Sequence, residues 1–453
     1  MSKNIFLLRL ISKVVSENMS KPTQLTDTRK RASKDRSLQC HAGLPRAVGE
    51  RGLSVYMNLA ACFLLFFSAF AFASAPAAYG DQAPNTTVYR KALPGYKYKF
   101  PQDHFSHDDF KTEWWYYTGH LKARDGRRFG FELTFFRTGS DYKQGVDKSD
   151  GKAEGLKADS VKADIAKAGS FKTSPWKLDN FYLAHFAVTD ESGKTFRYYE
   201  KLNRKGLKFA DARQDAYFVH NEGWSVAKLG EKYVLKADAR DYGIYLLLTP
   251  AKPPVVHGKN GVSQKASCAG CASHYYSMSR LQAEGLLFQK DKPIEVSGLA
   301  WMDHEFGSNQ LTSEQTGWDW FSIQLAGNRE LMLYVMRRED GSFEKQSSGT
   351  YVLPDGSSRH LDLADFKIEK VSTWTSPKTK GIYPMGWKIS VPKEKLQLTL
   401  VPLLQDQELT TERSTGVSYW EGAVDVLEGS EAKPSGNGYV EMTGYSEKFS
   451  KKL

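Results

Sequence analysis

Three observations predict an all-β fold made of two similar antiparallel domains. Short alternating apolar and polar runs recur from residue 114 onward, separated by Gly, Asn, Asp and Pro. Aromatic residues are abundant, with 10 Trp, 23 Tyr and 25 Phe, and such side chains favour strands. Blocks from the first half of the chain return in the same order in the second. Many short strands with turn residues between them indicate sandwiches or barrels.

The elements follow in order. Residues 114–121 and 129–137 read as a hairpin, with Ala123-Arg-Asp-Gly126 as its turn. Residues 139–174 are rich in Lys, Ala, Asp, Gly and Ser, and 152–168 suits a surface helix or a loop equally. Strands resume at 181–188, 195–199, 216–220, 224–229, 233–239 and 243–248. A long loop at 250–273 carries Cys268 and Cys271, and strand character returns at 275–283, 286–288 and 294–302. A CxxC in an exported chain is often oxidised, and no following His or second CxxC points to haem or zinc.

The repeat aligns 114–121 with 318–325, 131–137 with 331–337, 276–285 with 420–429 and 298–303 with 438–443. On this alignment Glu441 stands where the first copy has Trp301, and Thr443 where it has Asp303. An acid kept in one copy only would point to a role special to the first domain.

The 453-residue chain has a net charge of +11, but its placement argues against a nucleic-acid partner. Residues 1–56 hold 11 Lys/Arg against 4 Asp/Glu, a net of +7, leaving +4 for the rest. The stretch from 52 to 80 is uncharged, with a nearly continuous apolar run ending in small residues. That is the pattern of a secretory signal, or of a membrane anchor. The expected organisation is an extension or late start at 1–56, a signal or anchor at 57–77, a linker at 78–99 and two β-domains at 100–308 and 309–447. A periplasmic or secreted location follows, with peripheral contact to a membrane or export system as a further expectation. Oligomeric state is not legible.

The densest chemistry lies in SGLAWMDHEFGS, residues 297–308. On a strand, Trp301, Asp303 and Glu305 point one way, Met302 and His304 the other. An acid sharing a face with an indole is either a proton donor held dry or half of a structural salt bridge. Trp114, Trp115, Tyr116 and Glu113 form a second aromatic–acid group, readable together with His304 as ligand contacts, or as barrel core with Glu113 paired to Arg137 or Arg280. His104, His107, His185 and His304 show no HExxH or comparable spacing, so no metal and no cofactor is predicted. No GxSxG elbow is present.

FPQDHFSHDDFKTEWWYYTGHL, GFELTFFR, AHFAVTD, HYYSMSRL, SGLAWMDHEFGS, GWDWFSIQL and YWEGAVDV…GYVEMTGY together resemble the secreted AttH-like branch of the carotenoid 1,2-hydratase family. The resemblance runs from about Phe100 to Tyr445. It implies two tandem lipocalin-like, calycin-type antiparallel β-barrels and alkene hydration without a cofactor. The hydratases carry His-x-Trp and then Tyr-x-Asp. The matching positions here are His274-x-Tyr276 and Trp301-x-Asp303, with the aromatics exchanged. The resemblance thus nominates Asp303 as general acid, with Trp301, Tyr276 and His274 beside it. Two functions stand open: hydration, isomerisation or cyclisation of an apolar polyene or terpenoid, or non-catalytic carriage of a lipid-like small molecule.

Overall fold

The computed structural model describes residues 89–139, 180–205 and 207–448. The export segment at 57–77, the extension before it and the stretch at 152–168 lie outside the described residues. The fold is all-β. Helical elements among the described residues are three-residue 3-10 turns at Gln102–His104, Leu363–Asp365 and Pro392–Glu394.

The first sheet contains β1 (Thr112–Ala123), β2 (Arg128–Gly139), β3 (Asn180–Asp190), β4 (Thr195–Arg204), β5 (Ala210–Ala212), β6 (Phe218–Asn221), β7 (Trp224–Leu229), β8 (Lys232–Asp238), β9 (Tyr242–Pro250), β10 (Val255–Val256), β11 (Ser263–Gln264), β12 (Ala272–Gln289) and β13 (Lys292–Gly307). Its order is β4-β3-β2-β1-β13-β12-β9-β8-β7-β6-β5, and a bridge between Lys205 and Ala210 brings its two ends together. The second sheet contains β14 (Gln315–Leu325), β15 (Arg329–Arg338), β16 (Ser348–Val352), β17 (Ser358–Asp362), β18 (Lys367–Thr375), β19 (Ile382–Val391), β20 (Leu396–Pro402), β21 (Glu408–Thr411), β22 (Val417–Glu428) and β23 (Gly436–Thr443). Its order is β17-β16-β15-β14-β23-β22-β20-β19-β18. The two orders superimpose strand for strand from β4 and β17 through β7 and β18. The first sheet makes a nearly complete barrel and the second a half-barrel.

Register corrects one part of the sequence alignment. Tyr116 faces Asp303 across β1 and β13, and its counterpart Trp320 faces Glu441 across β14 and β23. Ser277 faces Asp303 across β12 and β13, and its counterpart Glu421 faces Glu441 across β22 and β23. Both neighbours place Glu441, not Thr443, at the position of Asp303. The structural register of the last repeat block thus differs by two residues from its sequence match. A slip of two keeps every side chain on its own face, so the hydrophobic pattern cannot detect it. Both copies therefore carry an acid here, and the argument from a one-copy acid falls.

Each barrel has its own core. Trp115, Tyr117, Phe131, Leu133, Tyr276 and Met302 are among the side chains filling the first, and Phe321, Ile323, Trp387, Trp420, Val440 and Met442 among those filling the second. A third cluster, including Tyr116, Tyr275, Trp301, Trp320, Met332, Tyr334 and Tyr439, lies between the barrels. β1, β12, β13 and their counterparts are thus apolar on both faces, because one face lines a barrel and the other meets the partner barrel. The approach is close at Gly130, where a Cβ would stand 2.5 Å from the Cβ of Ala423. Polar ties cross the same seam. Lys252 Nζ reaches Glu330 Oε2 at 2.7 Å, His185 Nδ1 is 2.6 Å from the Tyr419 hydroxyl, and Arg128 bonds Asp425.

Candidate functional site

The outward faces of β1, β12 and β13 and the facing strands of the second barrel enclose a hollow of about 360 Å³. It lies between the barrels, not inside either one. Trp114, Tyr116, Tyr275, Trp318, Trp320, Tyr334 and Met336 supply its apolar walls. Asp303, Glu305, Glu132, Glu421 and Glu441 supply carboxyls, and Lys265 an ammonium. A few polar groups in a mainly aromatic hollow between domains is the usual make-up of a small-molecule site.

Asp303 is 3 % exposed and opens on this hollow. Three donors converge on its carboxyl. Trp301 Nε1 donates to Oδ1 at 2.6 Å, Tyr275 OH donates to Oδ2 at 2.9 Å, and Ser277 Oγ donates to Oδ1. Two of these donors are held in turn. Trp320 Nε1 donates to the Tyr275 hydroxyl at 3.0 Å, and His257 Nε2 lies 2.6 Å from Ser277 Oγ. The other nitrogen of His257 is 2.8 Å from Thr350 Oγ1 of the second barrel. No Lys or Arg among the described residues pairs with Asp303. Lys265 Nζ, the nearby cation, is taken by Glu305 at 3.1 Å.

Burial raises the Asp303 pKa to about 7. The Ser277, Trp301 and Tyr275 bonds pull it down, and Glu305 pushes it further up. The group stands near half-protonation at neutral pH, as a proton-transfer residue requires.

The strand period divides the sequence-nominated residues into two groups. Trp301 joins Asp303, and Trp114 and Tyr116 line the same hollow. His274, Tyr276 and His304 lie on the opposite faces of β12 and β13. His274 Nδ1 is 2.8 Å from the Gly261 carbonyl, and its ring stacks on Tyr96 at 4.0 Å. Burial lowers its pKa to about 4, so it stays neutral. The Tyr276 hydroxyl joins His104 Nδ1 at 2.7 Å and His304 Nδ1 at 2.9 Å. Trp115 lies in the first-barrel core and stacks on His304. The structure therefore does not bring His274 or Tyr276 to Asp303.

Glu113 borders the hollow, but its carboxylate is fully engaged beside the first-barrel core. It accepts from Arg137 Nε at 3.2 Å and is bonded to His107 Nδ1 and His304 Nε2, each at 2.8 Å. The sequence pairing of Glu113 with Arg137 is observed. His107 and Glu113 hold each other charged. Burial opposes both charges, yet Glu113 raises the His107 pKa to about 9, and His107, with His304 and Arg137, holds the Glu113 carboxyl below its ordinary value. His107, Glu113 and His304 offer three donor atoms within 4.8 Å of one another, so they could surround a metal ion. The guanidinium on the same carboxylate disfavours a second cation there.

Tyr275, Ser277, Trp320 and the three glutamates were missed in the sequence. Tyr275 and Ser277 carry a readable signal, since they have the parity in β12 that matches Asp303 across the ladder. Glu132, Glu421 and Glu441 each stand alone in an apolar strand, which is itself a signal. Cys268 and Cys271 are disulfide-bonded in the loop before β12.

The pattern of the family described as AttH-like matches residues 91–445. A crystal structure of a Nitrosomonas europaea protein described as an AttH is 30 % identical, with a TM-score of 0.67, over 79 % of this chain and 99 % of that one. Kievitone hydratase from Nectria haematococca shares the fold at 11 % identity and a TM-score of 0.55, over 80 % of this chain and 98 % of its own. No curated protein matches. With the family pattern spanning both barrels and the seam between them, the chain belongs to the AttH-like family.

Proposed function

We propose that the protein is a cofactor-independent hydratase or cyclase acting on an unsaturated, largely apolar small molecule, with Asp303 as the general acid. One observation carries this reading. Asp303 is a buried carboxyl with no ion-pair partner, open to an aromatic hollow and balanced near half-protonation. In hydration its proton passes to one alkene carbon, and the electron deficit moves to the other. Trp301, Tyr275 and Trp320 flank the site, where π faces stabilise a cation by roughly 1–2 kcal/mol each when water is excluded. Water adds to that carbon, and its spare proton returns to the Asp303 carboxylate. The three donors around Asp303 suit the charged state that it reaches once the proton has left. A hydratase with the same fold supports the assignment only as precedent for the scaffold. Export through the 57–77 segment would place this chemistry in the periplasm.

A non-catalytic carrier of lipid-like molecules is the second reading, favoured by the apolar share of the hollow. The two separate on one assay. Purified protein is incubated with acyclic terpenoid alkenes in deuterated water, and carbon-bound deuterium is followed by mass spectrometry. Wild type should incorporate deuterium and Asp303→Asn should not. Equal turnover by both would remove Asp303 from the chemistry, and none by wild type across the panel would favour the carrier.

A further inference from the structure

The hollow also holds three carboxyls that the proposed reaction does not use. Glu421 and Glu441 face each other across β22 and β23, which puts their Cβ atoms about 5 Å apart. Glu132 comes from β2 of the first barrel and repels both. All three line the hollow. Glu132 is 1 % exposed and Glu421 0 %. Each has one oxygen satisfied. Thr134 Oγ1 donates to Glu132 Oε1 at 2.6 Å, and Tyr116 OH donates to Glu421 Oε1. The second oxygen of each, Oε2, is buried with no hydrogen-bond partner.

Buried unpaired polar atoms cost free energy, and buried carboxyls are normally matched by a cation. Among the described residues no Lys or Arg forms an ion pair with any of the three. The only group of His, Cys, Asp or Glu among the described residues with three donor atoms within 4.8 Å is His107, Glu113 and His304, so these glutamates stand too far apart to share one small metal ion. Three carboxyls around one hollow, two of them with a free oxygen, suit a larger cation with several N–H donors. Tyr116, Tyr419 and Trp318 line the same region, and aromatic faces add to the attraction for an organic cation.

We infer that Glu132, Glu421 and Glu441 form a binding site for an organic ammonium group, so that the hollow takes an amphiphile with an apolar body and an amine head. The free Oε2 atoms of Glu132 and Glu421 accept its N–H donors. The inference goes beyond the hydration proposal and does not require Asp303 to be catalytic. Burial raises the Glu132 pKa to about 7, Glu441 to about 8 and Glu421 well above its usual range. An ammonium entering near pH 7 therefore displaces protons.

Three ten-carbon probes with different heads test the site: decylamine, 1-decanol and decanoate, titrated by calorimetry against the full chain at pH 7. The amine should bind at least tenfold more tightly than the alcohol, and decanoate weakest. Its heat should vary with the ionisation enthalpy of the buffer, reporting proton release. Glu132→Gln and Glu421→Gln together should bring amine affinity down to that of the alcohol. Asp303→Asn should keep the preference, whether or not it abolishes turnover. Alcohol binding as tight as amine binding in wild type, or an amine preference that survives the double substitution, would overturn the proposal. Should the double variant misfold, the head-group order and proton release of wild type decide alone.

Discussion

Asp303 and Glu441 hold the same register position in two barrels of the same topology, but their surroundings differ. Asp303 receives three side-chain donors, two of them, Tyr275 and Ser277, braced by a further residue. Glu441 has a bond with Trp318 and otherwise meets the repulsion of Glu132, Asp303 and Glu305. The first acid is arranged to lose its proton and be stabilised, while the second is arranged to keep it. The contrast extends into the cores. Glu113, Arg137 and His304 of the first barrel correspond to Gly317, Arg337 and Met442 of the second. The second barrel has lost the buried carboxylate and the histidine, and Arg337 pairs instead with Asp319 at 3.0 Å. Duplication kept the strand ladder and let the polar contents of each barrel diverge.

Activity gives the widest test of this difference. Asp303→Asn should lower turnover by a factor on the order of 10²–10⁴, the usual range for a positioned acid. Glu441→Gln keeps shape and neutrality and should lower it less than about tenfold. Equal losses in the two variants would mean that the barrels share the proton chemistry.

Stability separates the two arginines. Arg137 is 1 % exposed and bonds Glu113, Asn180 and the carbonyls of His107 and Phe110. Its removal takes one cation from a buried carboxylate that His107 and His304 still hold, and leaves the Asn180 oxygen and two carbonyls without this donor, so Arg137→Ala should cost about 3–5 kcal/mol in urea unfolding. Arg337 sits nearer solvent, and Arg337→Ala should cost roughly 1–2 kcal/mol. A reversed order would show that the second barrel sets the stability of the whole.

The pH dependence sharpens the comparison further. Asp303, Glu132 and Glu441 have folded pKa values raised to about 7, 7 and 8. Between their ordinary values near 4 and these, the folded state binds more protons than the unfolded one. Stability therefore falls as pH rises through this window. His107, raised to about 9, acts in the same direction above pH 6.5, since its stabilising charge is lost as pH climbs. Glu113 is shifted down, and its contribution is lost only when the solution becomes strongly acidic. Each of these carboxyls contributes about 1.4 kcal/mol per pH unit below its raised pKa, so unfolding free energy should fall by several kcal/mol from pH 5 to 8, and Glu132→Gln should flatten the slope. A flat wild-type profile would mean that solvent reaches these carboxyls.

What the sequence disclosed follows the strand period. Asp303 was legible because alternation sets it with Trp301 and apart from Met302 and His304. Residues at even spacing share a face, so the same rule separates Tyr275 and Ser277 from His274 and Tyr276. Grouping by motif instead of by face joined the wrong pair to the acid. The place of the hollow was not legible. TEWWYYTG is apolar on both sides, and nothing in that pattern says which side faces the barrel interior. The inter-barrel seam is made by residues far apart in the chain, as with Thr350 bracing His257. Such pairs leave no periodic trace.

The smallest expected effect concerns one hydrogen bond. Trp301→Phe removes the Nε1 donor to Asp303 Oδ1 and keeps most of the ring. That donor favours the ionised carboxyl, so its loss should raise the Asp303 pKa above about 7. The pH at which the active acid form is lost should rise with it, moving the alkaline limb of the rate profile upward. Turnover below that limb should change less than about tenfold, because the proton donor itself remains. In the second barrel the residue equivalent to Trp301 is Tyr439, whose hydroxyl is not bonded to Glu441. Tyr439→Phe should therefore leave the limb where it is. A limb that moves equally in both variants would show that the profile reports the general polarity of the hollow, and the distinction between a braced acid and an unbraced one would be lost.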